Sequence, residues 1–215
     1  QQIQTYPWQN FGRLVKSSGL MKSCTVTLLS PTKALTPAQC MKSALTASGY
    51  ALPAQLFVAF PGRETITVDE YVIGPDYDIL STDFPVSSRD GWALIKLSTP
   101  AGFAHEKFVI PQKGTISTSS SNNYESLVMP GFFHQADKNL KVLQSCRLLT
   151  EGLHGFFMEY GGRGGGYHLH DCPEWGMAVG APLLQESQDG SYNILALHAG
   201  FIGAYYTLQI ETLGG

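Results

Sequence analysis

The sequence predicts an all-β protein built as two small β-barrels or as a sandwich. Short strand patterns recur along the chain, such as the alternating segment 65–68 and the apolar segment 92–97. A polar stretch without periodicity, residues 112–123, separates two sets of these strands. Long amphipathic helix patterns are not found, and only residues 37–44 favour a short helical turn.

In chain order, the predicted strands are 24–29, 56–60, 65–68, 92–97, 126–129, 140–149, 156–160, 181–184, 194–198 and 204–210. Their distribution predicts an N-terminal β-domain over residues 1–111, a linker over 112–125 and a C-terminal β-domain over 126–215.

Composition narrows the class of protein. The 215 residues are 43% hydrophobic and 11% aromatic, which excludes a disordered chain. Only 14% are charged, so the surface is rich in uncharged polar residues, as is typical of secreted β proteins. A net charge of −3 without any basic run excludes a nucleic-acid partner. We expect no transmembrane segment, since no apolar run reaches roughly 18 residues, and the start of the chain looks like that of a mature form.

The four cysteines allow two disulfides, which would place the protein in an oxidising compartment. The number of cysteines alone is equally compatible with four buried free thiols.

Three motifs follow one another along the chain. The first is Cys24-Thr-Val-Thr-Leu-Leu-Ser-Pro-Thr-Lys-Ala-Leu-Thr-Pro-Ala-Gln39-Cys40. It resembles the segment ending in Ala-Ala-His-Cys of the chymotrypsin-like serine proteases, in which the three motifs have the same order. The residue before the second cysteine is the catalytic base in that family. Here it is Gln39, and a neutral amide cannot take up a proton near neutral pH.

The second motif is Arg89-Asp-Gly-Trp-Ala-Leu-Ile-Lys-Leu97, which resembles the strand that supplies the aspartate orienting the base. Gly91 stands at the aspartate position and Asp90 lies one residue earlier. A one-residue bulge is the alternative that would bring Asp90 into that position.

The third motif is Gly176-Met-Ala-Val-Gly-Ala-Pro182, which resembles the nucleophile loop. Val179 stands where the family has its serine, and Met177 stands where a glycine N–H belongs to the oxyanion hole. The same resemblance extends to the trypsin-like and glutamyl-endopeptidase (V8-like) branch through Ser145-Cys146 and Asp171-Cys172, and through the closing His198-Ala199-Gly200.

This resemblance implies two six-stranded antiparallel β-barrels, with disulfides pairing Cys24 with Cys40 and Cys146 with Cys172. His198, Ala199 and Gly200 would be the remnant of a pocket that recognises an acidic side chain. With base and nucleophile both replaced, the expected protein is a secreted pseudoprotease that binds a protein or peptide, such as an active protease or a protease inhibitor.

Two other interpretations start from residues outside these motifs. A relocated catalytic group would use a serine and a histidine drawn from Ser145, Ser187, Ser191, His168, His170 and His198. That would make the chain a hydrolase on the same fold. A zinc site would use His168, His170, Asp171 and Cys172, but a disulfide at Cys172 leaves too few ligands. We therefore expect neither a metal nor a cofactor.

Overall fold

The computed structural model describes residues 5–17, 24–43, 46, 48–75, 77, 91–102, 110–111, 127–132, 140–146, 148–149, 167–170, 172, 179–202 and 205–209. These residues form strands joined by turns and short 3-10 helices, so the prediction of an all-β protein is confirmed for them. The 3-10 helices are Trp8–Asn10, Ala38–Met41 and Pro53–Gln55.

The strands of the first half are β1 (Phe11–Lys16), β2 (Cys24–Ser30), β3 (Lys33–Pro37), β4 (Leu56–Ala59), β5 (Thr65–Ile73), β6 (Trp92–Leu97) and β7 (Ile110–Pro111). Those of the second half are β8 (Leu127–Phe132), β9 (Leu140–Cys146), β10 (Leu148–Leu149), β11 (Tyr167–His170), β12 (Pro182–Glu186), β13 (Tyr192–Ile202) and β14 (Tyr205–Gln209).

The first half forms the closed six-stranded antiparallel barrel that the family resemblance implies. The strand order is β1-β2-β3-β6-β5-β4, and β1 closes the barrel by pairing with both β2 and β4. Alternate residues of each strand point inward, as Val26 and Leu28 do in β2. Gly12 in β1 allows this packing, because a Cβ atom there would lie 2.8 Å from the ring of Phe60.

The second half differs from the predicted closed barrel. Its described strands form an open eight-stranded sheet in the order β10-β11-β14-β13-β12-β8-β9, with β7 parallel to β13. The edge strands β9 and β10 are separated by one residue, position 147, which is too short a connection for an antiparallel hairpin. The two edges of this sheet are therefore joined by the covalent chain, and among the described residues no hydrogen-bonded ladder pairs β9 with β10. The predicted linker 112–125 and the predicted strand 156–160 lie outside the described residues.

A second buried cluster joins the barrel to this sheet, and we call it the seam. The barrel contributes Phe11 and Leu35, while the sheet contributes Phe132, Leu140, Leu184, Ile194 and Leu197. The aromatic rings of Trp8 and Tyr192, whose centroids are 6.0 Å apart, pack at its margin. The two halves are thus held together by apolar contact, which fixes the loops that meet between them.

Lys16 at the end of β1 gives the barrel a pH-dependent stability. Its Nζ donates a hydrogen bond to the carbonyl of Lys42, and burial lowers the pKa of the amine from 10.5 to about 8. Unfolding restores the ordinary pKa, so the unfolded chain binds more protons between about pH 8 and 10. The destabilisation by this group is therefore complete below pH 8 and is relieved as the pH rises through that window.

We expect Lys16→Met to reduce the rise in unfolding free energy between pH 8 and 10, as measured by urea denaturation at several pH values. Lys33→Met, on an exposed position of β3, is the matched control and should leave the rise unchanged. Equal pH dependence in both variants would contradict the assignment to Lys16.

Candidate functional site

Gln39 lies in the 3-10 turn Ala38–Met41, directly after β3. Pro37 enters this turn in an extended conformation, and Gln39 itself is half-buried. The predicted disulfide between Cys24 and Cys40 is confirmed, with Cα atoms 6.1 Å apart. The covalent bridge therefore fixes the turn that presents Gln39 against the start of β2.

Gly91 lies beside this turn. It is buried immediately before β6, and its carbonyl oxygen accepts a hydrogen bond of 2.5 Å from the backbone N–H of Ala38. Trp92, the next residue, pairs with Pro37 across the β3–β6 ladder. Position 91 thus contacts the segment that carries Gln39, but a glycine has no side chain with which to orient it. Asp90 lies outside the described residues.

Val179 reaches the same region from the second half of the chain. Its carbonyl oxygen accepts a hydrogen bond of 2.8 Å from the backbone N–H of Thr25, the residue after Cys24. Its half-buried side chain packs against the barrel core, a cluster that includes Cys24, Cys40 and Met41. The side chain of Val179 is therefore in contact with the barrel that carries Gln39.

Gly180 explains how the loop approaches so closely. It has a φ of +93°, a conformation that favours glycine, and a Cβ atom there would lie 2.3 Å from the carbonyl oxygen of Thr25. The same Cβ would lie 2.9 Å from Cδ of Pro37. The loop is therefore seated between the start of β2 and the residue that leads into the Gln39 turn.

The structure thus brings Gln39, Gly91 and Val179 together, although they come from three distant parts of the sequence. Their side chains are an amide, a hydrogen atom and a hydrocarbon. None of these groups exchanges a proton near neutral pH or attacks a carbonyl carbon.

His198 lies on the other side of the loop. It is 3% exposed, its carbonyl accepts from the N–H of Gly180 at 2.7 Å, and its own N–H donates to the carbonyl of Ala181 at 2.8 Å. The pairing of β13 with β14 shifts in register between His198 and Gly200. This irregularity falls at Ala199, so the predicted remnant pocket coincides with a bulge in β13.

Comparisons with known proteins find similarity in structure but not in sequence. No protein-family model and no curated protein match the chain. Among the solved structures, 872 chains match, including one described as "Structure of Glu endopeptidase in complex with MPD". That structure aligns with a TM-score of 0.69 over 98% of this chain and 88% of the other, at 15% sequence identity. The fold is that of the chymotrypsin-like proteases. At this level of identity the likeness shows the fold alone.

On this protease fold, several predicted site residues lie outside the described part. Met177, at the altered oxyanion-hole position, is one of them, and so are the side chains of Ala199 and Cys146. Cys172 is fully buried and disulfide-bonded, as predicted. Its predicted partner is Cys146, whose side chain is not among those described.

Two of the three serines of the alternative hydrolase interpretation, Ser187 and Ser191, occupy the turn between β12 and β13. The Oγ of Ser187 accepts a hydrogen bond of 2.7 Å from Nδ2 of Asn193, and the Oγ of Ser191 lies 2.6 Å from Oδ1 of Asp189. Ser191 and His198 are seven positions apart along extended chain, which corresponds to about 23 Å. These serines are therefore remote from the described candidate base.

The remaining alternative residues are Ser145 in β9 and His168 and His170 in β11, whose side chains are not among those described. Within the described ranges, no group of three or more His, Cys, Asp or Glu residues is arranged to hold a metal ion. Nor does that part of the chain contain a helix long and apolar enough to cross a membrane.

Sequence reasoning missed Thr25 and Pro37 as residues that position the loop. The only sequence signal for these two residues is that they lie close to motif residues. Thr25 follows Cys24, and Pro37 stands two residues before Gln39. The contacts themselves join residues more than 140 positions apart, which no local pattern encodes.

Proposed function

We propose that this chain is a catalytically inactive protein on the chymotrypsin-like protease fold, secreted, and acting by binding a protein or peptide. The observation that carries the proposal is the convergence of Val179, Gln39 and Gly91 around the Cys24–Cys40 bridge. The motifs assign the nucleophile, the base and the orienting group to these positions, and the residues present have none of those properties.

The size of the loss supports inactivity over weakened activity. Removing one member of such a triad lowers turnover by about 10⁴ to 10⁶, and the effects are not additive because the three groups act as a unit. With the nucleophile itself absent, acyl transfer has no group with which to begin.

The packing of Val179 supports the same proposal. A nucleophile has to present its reactive atom to a bound substrate, whereas the side chain of Val179 packs against the barrel core. A β-branched hydrocarbon there stabilises contact between the two halves. This packing role needs no reactive group at position 179, and it is compatible with a binding protein.

Binding is the function that the fold retains without chemistry. Loops carried on a rigid β scaffold commonly form interaction sites, and the name of the structural neighbour suggests an acidic side chain in the bound peptide. In this chain His198, Ala199 and Gly200 would meet that side chain. The proposed partner is an active protease or a protease inhibitor. The disulfides support secretion, because they persist in oxidising compartments.

A direct test compares the natural chain with Val179→Ser. We expect no cleavage of fluorogenic peptides carrying glutamate before the scissile bond, and no labelling by a fluorophosphonate probe, in either protein. The variant restores a hydroxyl, but Gln39 stands at the position that the motif assigns to the base, so the reactivity of the new hydroxyl should equal that of an ordinary serine.

An active glutamyl endopeptidase is the positive control, and its serine-to-alanine variant is the background. Stoichiometric labelling of the natural chain would establish a hidden nucleophile and support the alternative of a hydrolase with a relocated group. Turnover by Val179→Ser alone would show that a base persists near position 179.

A further inference from the structure

Two threonines of β2, Thr25 and Thr27, lie on the face of the strand that points away from the barrel core. Val26 and Leu28 point into the barrel core, so Thr25 and Thr27 point to the opposite face of the strand. Thr27 pairs with Phe11 of β1 and with Leu35 of β3, both of which belong to the seam. Side chains of directly paired residues lie on the same face, so the Thr27 hydroxyl is enclosed by apolar seam residues.

These threonines are fully buried, with 0% exposure, and their hydroxyls have no hydrogen-bond partner among the described residues. Nε2 of Gln9, which is also buried and lies next to the seam residue Trp8, is in the same situation. Thr36 provides the contrast, since its equally buried Oγ1 donates to the carbonyl of Thr25 at 2.9 Å.

Buried polar groups without protein partners are normally bonded to internal water. Folded proteins contain about one buried water per 27 residues, and each makes about three hydrogen bonds to otherwise unsatisfied groups. A hydroxyl sealed among apolar side chains without any partner would cost stability, and threonine has no packing advantage over valine that would offset the cost.

We propose that a buried hydration site lies on this face of β2, beginning at the seam, in which internal water molecules bind the hydroxyls of Thr27 and Thr25. Thr25 is also bonded to the loop of Val179, because its backbone N–H donates to the carbonyl of Val179. This inference does not depend on whether the protein is an enzyme.

Thr25→Val and Thr27→Val test the proposal, because each replaces a hydroxyl by a methyl group of the same shape. If water occupies the site, each variant loses a hydrogen bond and strands the water. The folding equilibrium constant from urea denaturation should then fall about three- to tenfold. Thr36→Val is the matched control, because it removes a hydroxyl whose protein partner is known and calibrates the loss of one buried hydrogen bond.

An equilibrium constant that is unchanged or raised in the Thr25 and Thr27 variants would overturn the proposal, because a dry hydroxyl is replaced by methyl without loss. A crystal structure of the natural chain keeps the test decisive if a variant does not fold. It should show a water oxygen within about 3.2 Å of each Oγ1, and a seam without water at these atoms would refute the site.

Discussion

Replacing Gly180 by alanine is expected to lower the free energy of unfolding by about 2 to 5 kcal/mol. The positive φ of +93° costs a non-glycine residue about 1–2 kcal/mol. Overpacking against neighbouring atoms adds about 1–3 kcal/mol. The nearest neighbour is the carbonyl oxygen of Thr25, at 2.3 Å from the new Cβ, and a backbone atom in a barrel strand cannot rotate away. The loop would have to withdraw and lose the hydrogen bond between Thr25 and Val179.

Gly190→Ala is the matched control for this substitution. Gly190 also has a positive φ, +75°, but a Cβ atom there meets nothing within 4 Å. It should therefore lose only the backbone term of about 1–2 kcal/mol. The difference between the two variants, measured by urea denaturation, isolates the contact between the loop and the barrel. Equal losses would mean that the loop is not seated on Thr25.

The first barrel shows how far the sequence predicts this fold. Segments with clean patterns, such as 24–29 and 92–97, are strands with nearly the predicted bounds. β1 and β3 were not predicted. Gly12 interrupts the apolar pattern of β1, and β3 begins with Lys33 and ends with Pro37. A side chain at position 12 would meet the ring of Phe60, the residue that follows β4, so the cause of the irregular pattern lies elsewhere in the chain.

The second half shows the limit of the prediction. Strand patterns predicted most of its strands but not their closure, which depends on how its edges are related. β9 and β10 follow each other with one residue between them, yet they form opposite edges of the described sheet. A pattern of short strands is the same for an open sheet and for a closed barrel, so the pairing of edges could not be predicted from it.

The candidate site was predicted from the order of motifs, and its assembly comes from the structure. Val179 and Gly180 meet Thr25 and Pro37 through a hydrogen bond and a close backbone contact that span most of the chain. The small residues of the loop predict that it passes near a neighbour, but they do not identify the neighbour. Which residues the loop contacts is determined by the register of β2 and by the position of the disulfide.

The double variant Cys24→Ala/Cys40→Ala is expected to lose about 3 kcal/mol of stability. The bridge closes a loop with a sequence separation of 16, and cross-linking a loop of about 15 residues restricts the unfolded chain by about that amount. Mutation is preferable to a reducing agent, because reduction would also break the disulfide of Cys172. Alanine retains an apolar group at both buried positions, so the loss reports the cross-link together with a small cavity.

The loss should also be visible at the candidate site. The bridge holds the Gln39 turn against the start of β2, and Thr25 is the next residue along that strand. Amide hydrogen exchange at Thr25 and Ala38, whose N–H groups bond to Val179 and Gly91, should therefore accelerate more than exchange at Phe57 in β4. Uniform acceleration at all three amides would mean that the bridge stabilises the barrel without positioning the site. A stability loss under about 1 kcal/mol would contradict the role of the cross-link itself.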